Sequence, residues 1–324
     1  MYCSQKERVE SFRKIKKNHF MKIRILFAFL SFSFQMMATE IKVEQIKANG
    51  LEFTCRTIGS PSDGPAIILL HGFPETSHMW ESTMQHLHEQ GYYCMAPDMR
   101  GYSPNARPKG RKNYAIELIA KDIVALAAAK QLTNFHLMGH DWGSAIGWSI
   151  VGLYPKLVRS WVALSVPHLS ALSNAVKYDE QQKKMSSYAR VFQLSFLPEA
   201  VLKAKDFKRL KESCWYLSTP EQVAVYKEVF GGKRALTTCL HYYRKNWKKM
   251  IKIAEGLNIS AIKTPTTLIW GDKDTALGRK SIEDTQQYMK GAYELVELDA
   301  SHWLIQDKPE AVWKAMDAHL AKHK

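Results

Sequence analysis

The stretch that most constrains this chain is Gly139-His140-Asp141-Trp142-Gly143-Ser144. A short apolar run, Asn134 to Met138, leads into it, and a helix-like run, Ala145 to Tyr154, leads out. An acidic residue therefore stands at a strand-to-helix corner, with a glycine two positions to either side. That is the spacing of a nucleophile elbow, in which a tight turn lifts one side chain above the edge of a sheet. Small flanking residues are required because the turn is strained and the backbones approach closely. The residue lifted here is an aspartate, so the question is what chemistry an aspartate performs at such a corner.

The surrounding pattern says what kind of sheet the corner belongs to. Glu40 to Ala48 alternates polar and apolar residues, as a half-exposed strand does, and Asn49-Gly50 is a hairpin turn signal before a second strand, Leu51 to Ile58. Ala66 to Leu70 is a continuous apolar run, expected for a strand covered on both faces. Trp80 to Gln90 reads as helix, Tyr92 to Ala96 as strand, Lys109 to Asn113 as a charged loop, and Ile116 to Lys130 as an amphipathic helix. Arg159 to Ser165, Pro265 to Trp270 and Tyr293 to Leu298 read as further strands, and Pro309 to Lys322 closes as a helix. Strands alternating with helices predict a largely parallel α/β sheet. Residues 169–257 break the rhythm with Lys, Gln, Ser and aromatics in helical runs, and are expected to form an inserted helical cap. The domain reading is a leader over 1–38, a core over 39–168 and 258–324, and the cap between the two parts of the core.

Composition narrows the function classes. The formal charge of +15 is unevenly placed. Residues 1–38 hold 8 Lys and Arg against 2 acids, residues 169–257 hold 17 against 8, and the remainder holds 21 of each. No nucleic-acid-binding module accompanies the basic segments, so no nucleic-acid partner is expected. The basic cap reads as a solvated helical face or as a surface facing lipid or anionic substrates. The five cysteines are scattered and include no CxxC pair, which argues against a disulfide framework and against a zinc site. In the leader, a basic stretch precedes the apolar run Ile25 to Phe34 and a small residue, Ala38. The run is short for a membrane span, and the order is that of a secretory signal peptide starting at Met21. The competing reading is a start at Met36 or Met37. The first implies export or membrane association, the second a cytoplasmic location.

Several loops that follow strands carry chemical groups, and open α/β sheets bind ligands beyond the carboxyl ends of their strands. Asp141, Asp274 and His302 fall at three such ends, in the order nucleophile, acid, histidine, and no GxSxG offers a competing serine. Asp272 is the alternative acid. The motifs HGFPE (His71–Glu75), DMRGYSPN (Asp98–Asn105), GHDWGS (Gly139–Ser144), SVPH (Ser165–His168), HYYRKNW (His241–Trp247), GDKD (Gly271–Asp274) and SHW (Ser301–Trp303) follow one another in this order. From about Glu40 to the end, the chain resembles the α/β-hydrolase-fold epoxide hydrolases, an Asp-nucleophile branch shared with haloalkane dehalogenases.

The resemblance implies an α/β-hydrolase fold: a mostly parallel central sheet flanked by helices, with the cap inserted. It implies a small-molecule epoxide and water as substrates, with no cofactor and no metal. Asp141 would open the epoxide by back-side displacement, and the resulting ester, unlike an ether on serine, can be cleaved by activated water. His302, oriented by Asp274, would deprotonate that water. By resemblance the oxyanion donors are the backbone N–H groups of Phe73 and Trp142, and Phe73-Pro74 is cis. Two cap tyrosines would protonate the departing oxygen: Tyr188, followed by the Phe192-Gln193 pair, and Tyr243, with Tyr242 as its neighbouring alternative. Phe73, Trp142 and Trp303 are expected to line the pocket, while His71 and His140 hold the loops. A dehalogenase and a non-catalytic binding protein remain the other readings. The second halide donor often found after the HG is replaced here by Phe73, and all three triad positions are filled. The leader or the basic cap would bring the protein near membrane, and homodimerisation is left open.

Overall fold

The structure is a computed structural model that describes residues 40–251 and 261–324. The expected leader and the last residues of the expected cap, 252–257, lie outside the described residues. The hairpin β1 (Lys42–Ala48) and β2 (Leu51–Ile58) comes first, turning at Asn49 and Gly50 with φ of 47° and 75°. Positive φ at both positions suits the Asn-Gly pair. The chain continues through β3 (Ala66–Leu70), α1 (Glu81–Glu89), β4 (Tyr93–Pro97), α2 (Ile116–Ala129), β5 (Phe135–His140), α3 (Trp142–Leu153) and β6 (Val158–Leu164). Where a charged loop was expected, a short 3-10 helix forms over Arg111–Tyr114. Its Tyr114 is buried and donates its hydroxyl to the Pro108 carbonyl at 2.8 Å, an aromatic anchor that the flanking charges masked.

After β6 the described chain is helical: α4 (Leu169–Tyr178), α5 (Glu180–Met185), α6 (Tyr188–Val191), α7 (Leu197–Ser213), α8 (Pro220–Gly231) and α9 (Ala235–Ile251). Two of these show how local sequence sets the ends and breaks. At α8 a capping box forms, the Gln222 N–H donating to Thr219 Oγ1 at 3.2 Å and the Thr219 N–H to Gln222 Oε1 at 2.9 Å. Within α7 the backbone leaves helical geometry at Ala204–Phe207, so two helical pieces meet at a kink. The sheet then resumes with β7 (Thr266–Gly271), followed by α10 (Arg279–Glu283), β8 (Tyr293–Leu298), α11 (Leu304–Asp307) and α12 (Pro309–Lys322).

The eight strands form one sheet in the order β1-β2-β4-β3-β5-β6-β7-β8. The β1–β2 and β2–β4 pairs are antiparallel, and all pairs from β4 to β8 are parallel. Successive residues of β3 alternate between two cores. Ile68 and Leu70 pack with Phe135, Trp148 and Trp161 on one face, and Ile67 and Leu69 with Trp80, Met84 and Met316 on the other. This is why AIILL reads as unbroken apolar sequence. Trp148 and Trp161 meet edge-to-face with centroids 5.8 Å apart.

The parallel order brings the carboxyl ends of β3, β5, β7 and β8 to one edge. The join between β5 and α3 is held by backbone contact. A Cβ added to Gly143 would lie 2.1 Å from the Leu70 carbonyl oxygen, and one added to Gly72 would lie 2.4 Å from Cβ of Asp141. Gly143→Ala therefore forces backbone apart rather than a flexible side chain. We expect a loss of about 2–3 kcal/mol, read as a lowered urea midpoint, with Asp141 displaced. An unchanged midpoint would contradict this packing.

Candidate active site

Asp141 occupies the corner between β5 and α3 with φ 50° and ψ −119°, a strained conformation for a non-glycine residue. The strain turns its carboxylate toward the loop that follows β3. There the Phe73 N–H donates to Asp141 Oδ1 at 2.8 Å, and the Phe73-Pro74 bond is cis. Trp142 is the first residue of α3, so its N–H is one of those a helix leaves without an internal acceptor. His302, on the loop after β8, places Nε2 3.6 Å from Asp141 Oδ2 and Nδ1 2.7 Å from Asp274 Oδ2. Asp274, on the loop after β7, is fixed in turn by the N–H groups of Ala276 (2.7 Å) and Leu277 (2.9 Å), both donating to Oδ1. Asp272 is exposed and makes no contact with the ring, so of the two candidate acids only Asp274 reaches His302.

The electrostatics follow from this burial. Burial alone would favour neutral His302, but the Asp274 and Asp141 charges outweigh it and raise the imidazole pKa from 6.5 to about 10. Burial likewise opposes the Asp141 charge. His302, His140 and the Phe73 N–H outweigh it and hold that carboxyl below its usual range. The resting site is thus an ion pair with a second carboxylate behind it.

Both expected tyrosines face this pair. Tyr188 on α6 and Tyr243 on α9 have ring centroids 6.1 Å apart, and both line a cavity whose floor is Asp141 and Trp142. Burial, with the Asp141 charge adding to it, raises both phenol pKa values, so the hydroxyls stay protonated. Tyr242 turns the other way. It is buried and donates its hydroxyl to the Arg100 carbonyl at 2.7 Å. The cavity is narrow, about 40 Å³ for the centre of a water molecule, and its remaining walls include Val166, Leu172, Trp247 and Leu277. These came without individual signal in the sequence, although Val166 and Trp247 stand inside the SVPH and HYYRKNW motifs.

Two of the expected pocket residues are not among those that line this cavity. Trp303 does not line this cavity: it is buried edge-on against the His302 ring, centroids 5.0 Å apart, and beside His140 at 5.7 Å. The side chain of Phe73 also lies outside the lining, packed edge-to-face with Phe192, Phe230 and Tyr243. It supports the tyrosine rather than forming the wall. His71 and His140 do join loops. His71 Nε2 accepts from the Met99 N–H at 3.1 Å, and His140 Nε2 donates to the His302 carbonyl at 2.9 Å. That carbonyl also accepts from the Ser165 hydroxyl at 3.0 Å. Behind His140 lies a carboxylate that the sequence reading passed over. Glu75 is fully buried, with Oε2 3.6 Å from His140 Nδ1. Its position in HGFPE was the available signal.

Residues 65–309 match the family described as alpha/beta hydrolase fold. The chain is 32% identical over 277 residues to the AB hydrolase superfamily protein YfhM of Bacillus subtilis, covering 84% of this chain and 95% of that one. It is 31% identical over 281 residues to epoxide hydrolase 4 of Homo sapiens, covering 83% and 76%. Among solved structures, the epoxide hydrolase VrEH1 of Vigna radiata superposes with a TM-score of 0.73 at 25% identity, covering 87% of this chain and 99% of that one. A Bacillus megaterium epoxide hydrolase in complex with an inhibitor gives a TM-score of 0.78 at 23% identity, covering 86% and 100%, and shares the fold. The chain belongs to the α/β-hydrolase-fold family of epoxide hydrolases.

The His302 charge has a consequence for stability. A folded-state pKa above 6.5 contributes stability that is fully present below that value and is lost as pH rises toward about 10. Asp274→Asn should flatten the stability–pH profile across this window. It should also move the His302 titration, followed by NMR, back toward the ordinary range. A titration unchanged by the substitution would show that Asp274 does not hold the proton.

Proposed function

We propose that this protein hydrolyses epoxides to vicinal diols through a covalent ester on Asp141. The observation that carries the reading is the placement of two protonated phenols, Tyr188 and Tyr243, on the same cavity as the charged Asp141. A carboxylate on one side of a three-membered ring and acids on the other are what ring opening requires. The substrate assignment agrees with the names of the relatives, epoxide hydrolase 4 of Homo sapiens among them.

The geometry supports a role for each group in this scheme. Asp141 Oδ1 is engaged by the Phe73 N–H, which leaves Oδ2 to attack an epoxide carbon from the face opposite the breaking C–O bond. As the C–O bond breaks, the ring oxygen takes a proton from the tyrosine pair. These donors act most strongly on the developing alkoxide and so favour the transition state over the bound epoxide. Esterification removes the Asp141 charge, one of the two attractions that hold the proton on His302. That proton restores the phenol, and His302 becomes a neutral base. His302 Nε2 then takes a proton from water, which attacks the ester carbonyl. The oxyanion forms on Oδ1, already facing the Phe73 N–H. On collapse the departing alkoxide takes the proton of the newly added hydroxyl, which releases the diol, returns the Asp141 carboxylate and leaves His302 protonated as at rest. A halide would need the Trp142 indole and a second donor, and Phe73 supplies only its backbone there.

Two measurements test this scheme. With enzyme in excess over an aryl epoxide in ¹⁸O-water, the first-turnover diol should carry unlabelled oxygen from Asp141. Labelled diol would mean direct attack by water and would remove the covalent step. Tyr243→Phe should slow ring opening by roughly 10²-fold, the scale of general-acid assistance. Cleavage of the accumulated ester, followed by single-turnover quench, should be nearly unaffected. Equal loss in both steps would contradict the acid role.

A further inference from the structure

An apolar segment that the fold does not cover follows Tyr188, one of the residues that line the cavity. Tyr188 lines the cavity together with Asp141, yet the residue is 38% exposed, so it reaches from the site to the surface. The residues that follow it are more exposed still: Val191 50%, Leu194 50%, Phe196 84% and Leu197 55%. Contiguous exposed apolar residues of this kind mark interaction surfaces. Phe196 also adopts φ 65°, a left-handed conformation that is strained for a bulky side chain. Folding alone gives no reason to hold an aromatic ring in water on a strained backbone.

The segment is held in place by Arg244, the neighbour of Tyr243. Arg244 donates through Nε to the Phe192 carbonyl at 3.0 Å and through Nη2 to the Leu194 carbonyl. It also grips Glu199 with Nη1 to Oε1 at 2.8 Å and Nη2 to Oε2 at 3.0 Å. This pairing takes up the acidic charge of Glu199 and leaves exposed Arg190, Lys203 and Lys205 flanking the apolar residues. They belong to the cap segment that carries 17 Lys and Arg against 8 acids. An apolar projection among cations matches the interface of an anionic bilayer, where apolar groups enter the headgroup boundary and cations meet acidic lipids. A second copy fits less well, because a two-fold contact would set the same cations against one another.

We infer that the segment Val191–Leu197 is a docking surface for anionic lipid membranes, which sets the Tyr188 side of the cavity against the layer where apolar epoxides dissolve. The docking stands on the surface itself, and only its link to the substrate rests on the reading under Proposed function.

The test uses the full chain and the full-length double variant Leu194→Ser/Phe196→Gly, so that the leader contributes equally to both. Glycine accepts the positive φ, and the melting temperature should not fall because of residue 196. Binding to phosphatidylserine–phosphatidylcholine vesicles should weaken about tenfold, as expected for losing a partly inserted Phe and Leu. Wild-type binding should also weaken when the phosphatidylserine is left out and when salt is raised. Hydrolysis of a small water-soluble epoxide should be unchanged, and hydrolysis of a long-chain epoxide dissolved in the vesicles should fall with binding. Equal vesicle binding by the two chains would overturn the docking surface. So would a change from dimer to monomer in light scattering with vesicle binding unaltered, which would assign the patch to a second copy. If neither chain hydrolyses any epoxide while vesicle binding still differs, the catalytic reading fails and the docking surface stands.

Discussion

The site depends on a backbone contact in which no side chain takes part. Gly143, in the first turn of α3, lies so close to the Leu70 carbonyl at the end of β3 that a single added carbon would collide with it at 2.1 Å. This closeness lets the loop after β3 and the corner after β5 share one small volume. Within it the Phe73 N–H meets Asp141 Oδ1, and Gly72 clears the Asp141 side chain. The strained φ of Asp141 is tolerated because β5, paired with β3 and β6 on either side, and the buried α3 fix the backbone on both sides of it. Strain of this sort persists where the surrounding structure over-determines it.

The charges around that corner form a graded arrangement. Asp274, satisfied by two backbone N–H groups and one ring nitrogen, acts as a fixed negative charge. His302 lies between it and Asp141 and holds a proton, since two nearby carboxylates outweigh the cost of burying its charge. The tyrosines on the far side stay neutral because burial and the same Asp141 charge both oppose a phenolate. One set of positions thus brings together an anion, a protonated imidazole and two neutral phenols. The backbone of His302 is held as firmly as its ring, with Ser165 and His140 both donating to its carbonyl.

Much of this was legible in the sequence, for different reasons in different places. The strands were legible because a strand buried on both faces must be apolar throughout, as in Ala66–Leu70, and a half-exposed one must alternate, as in Lys42–Ala48. Asp141, Asp274 and His302 were legible because each sits just past a strand end. The preference for Tyr243 over Tyr242 came from the resemblance of the HYYR motif and not from helical periodicity. Neighbouring helical residues point about 100° apart, and only the docking of α9 shows that one reaches the Arg100 carbonyl while the other faces Asp141. The same limit explains Trp303 and Phe73. The resemblance placed both on the pocket wall, whereas the packing sets the Trp303 ring against His302 and the Phe73 ring against Phe192, Phe230 and Tyr243. Glu75 escaped notice because a carboxylate in a loop reads as solvated until the loop is seen to be buried.

By itself the sequence determined the order of strands and helices, the glycines on which the corner depends and the identity of the groups presented at the strand ends. These follow from short-range rules: periodicity, the steric demands of a tight turn and the chemistry of a carboxylate beside a histidine. Only the tertiary structure decided which atoms meet. It brought Asp274 rather than Asp272 to 2.7 Å from His302, turned Tyr243 toward the cavity, and left Phe196 exposed to water. Those outcomes depend on how helices far apart in sequence pack over the sheet, and burial, distance and exposure exist only once they have done so.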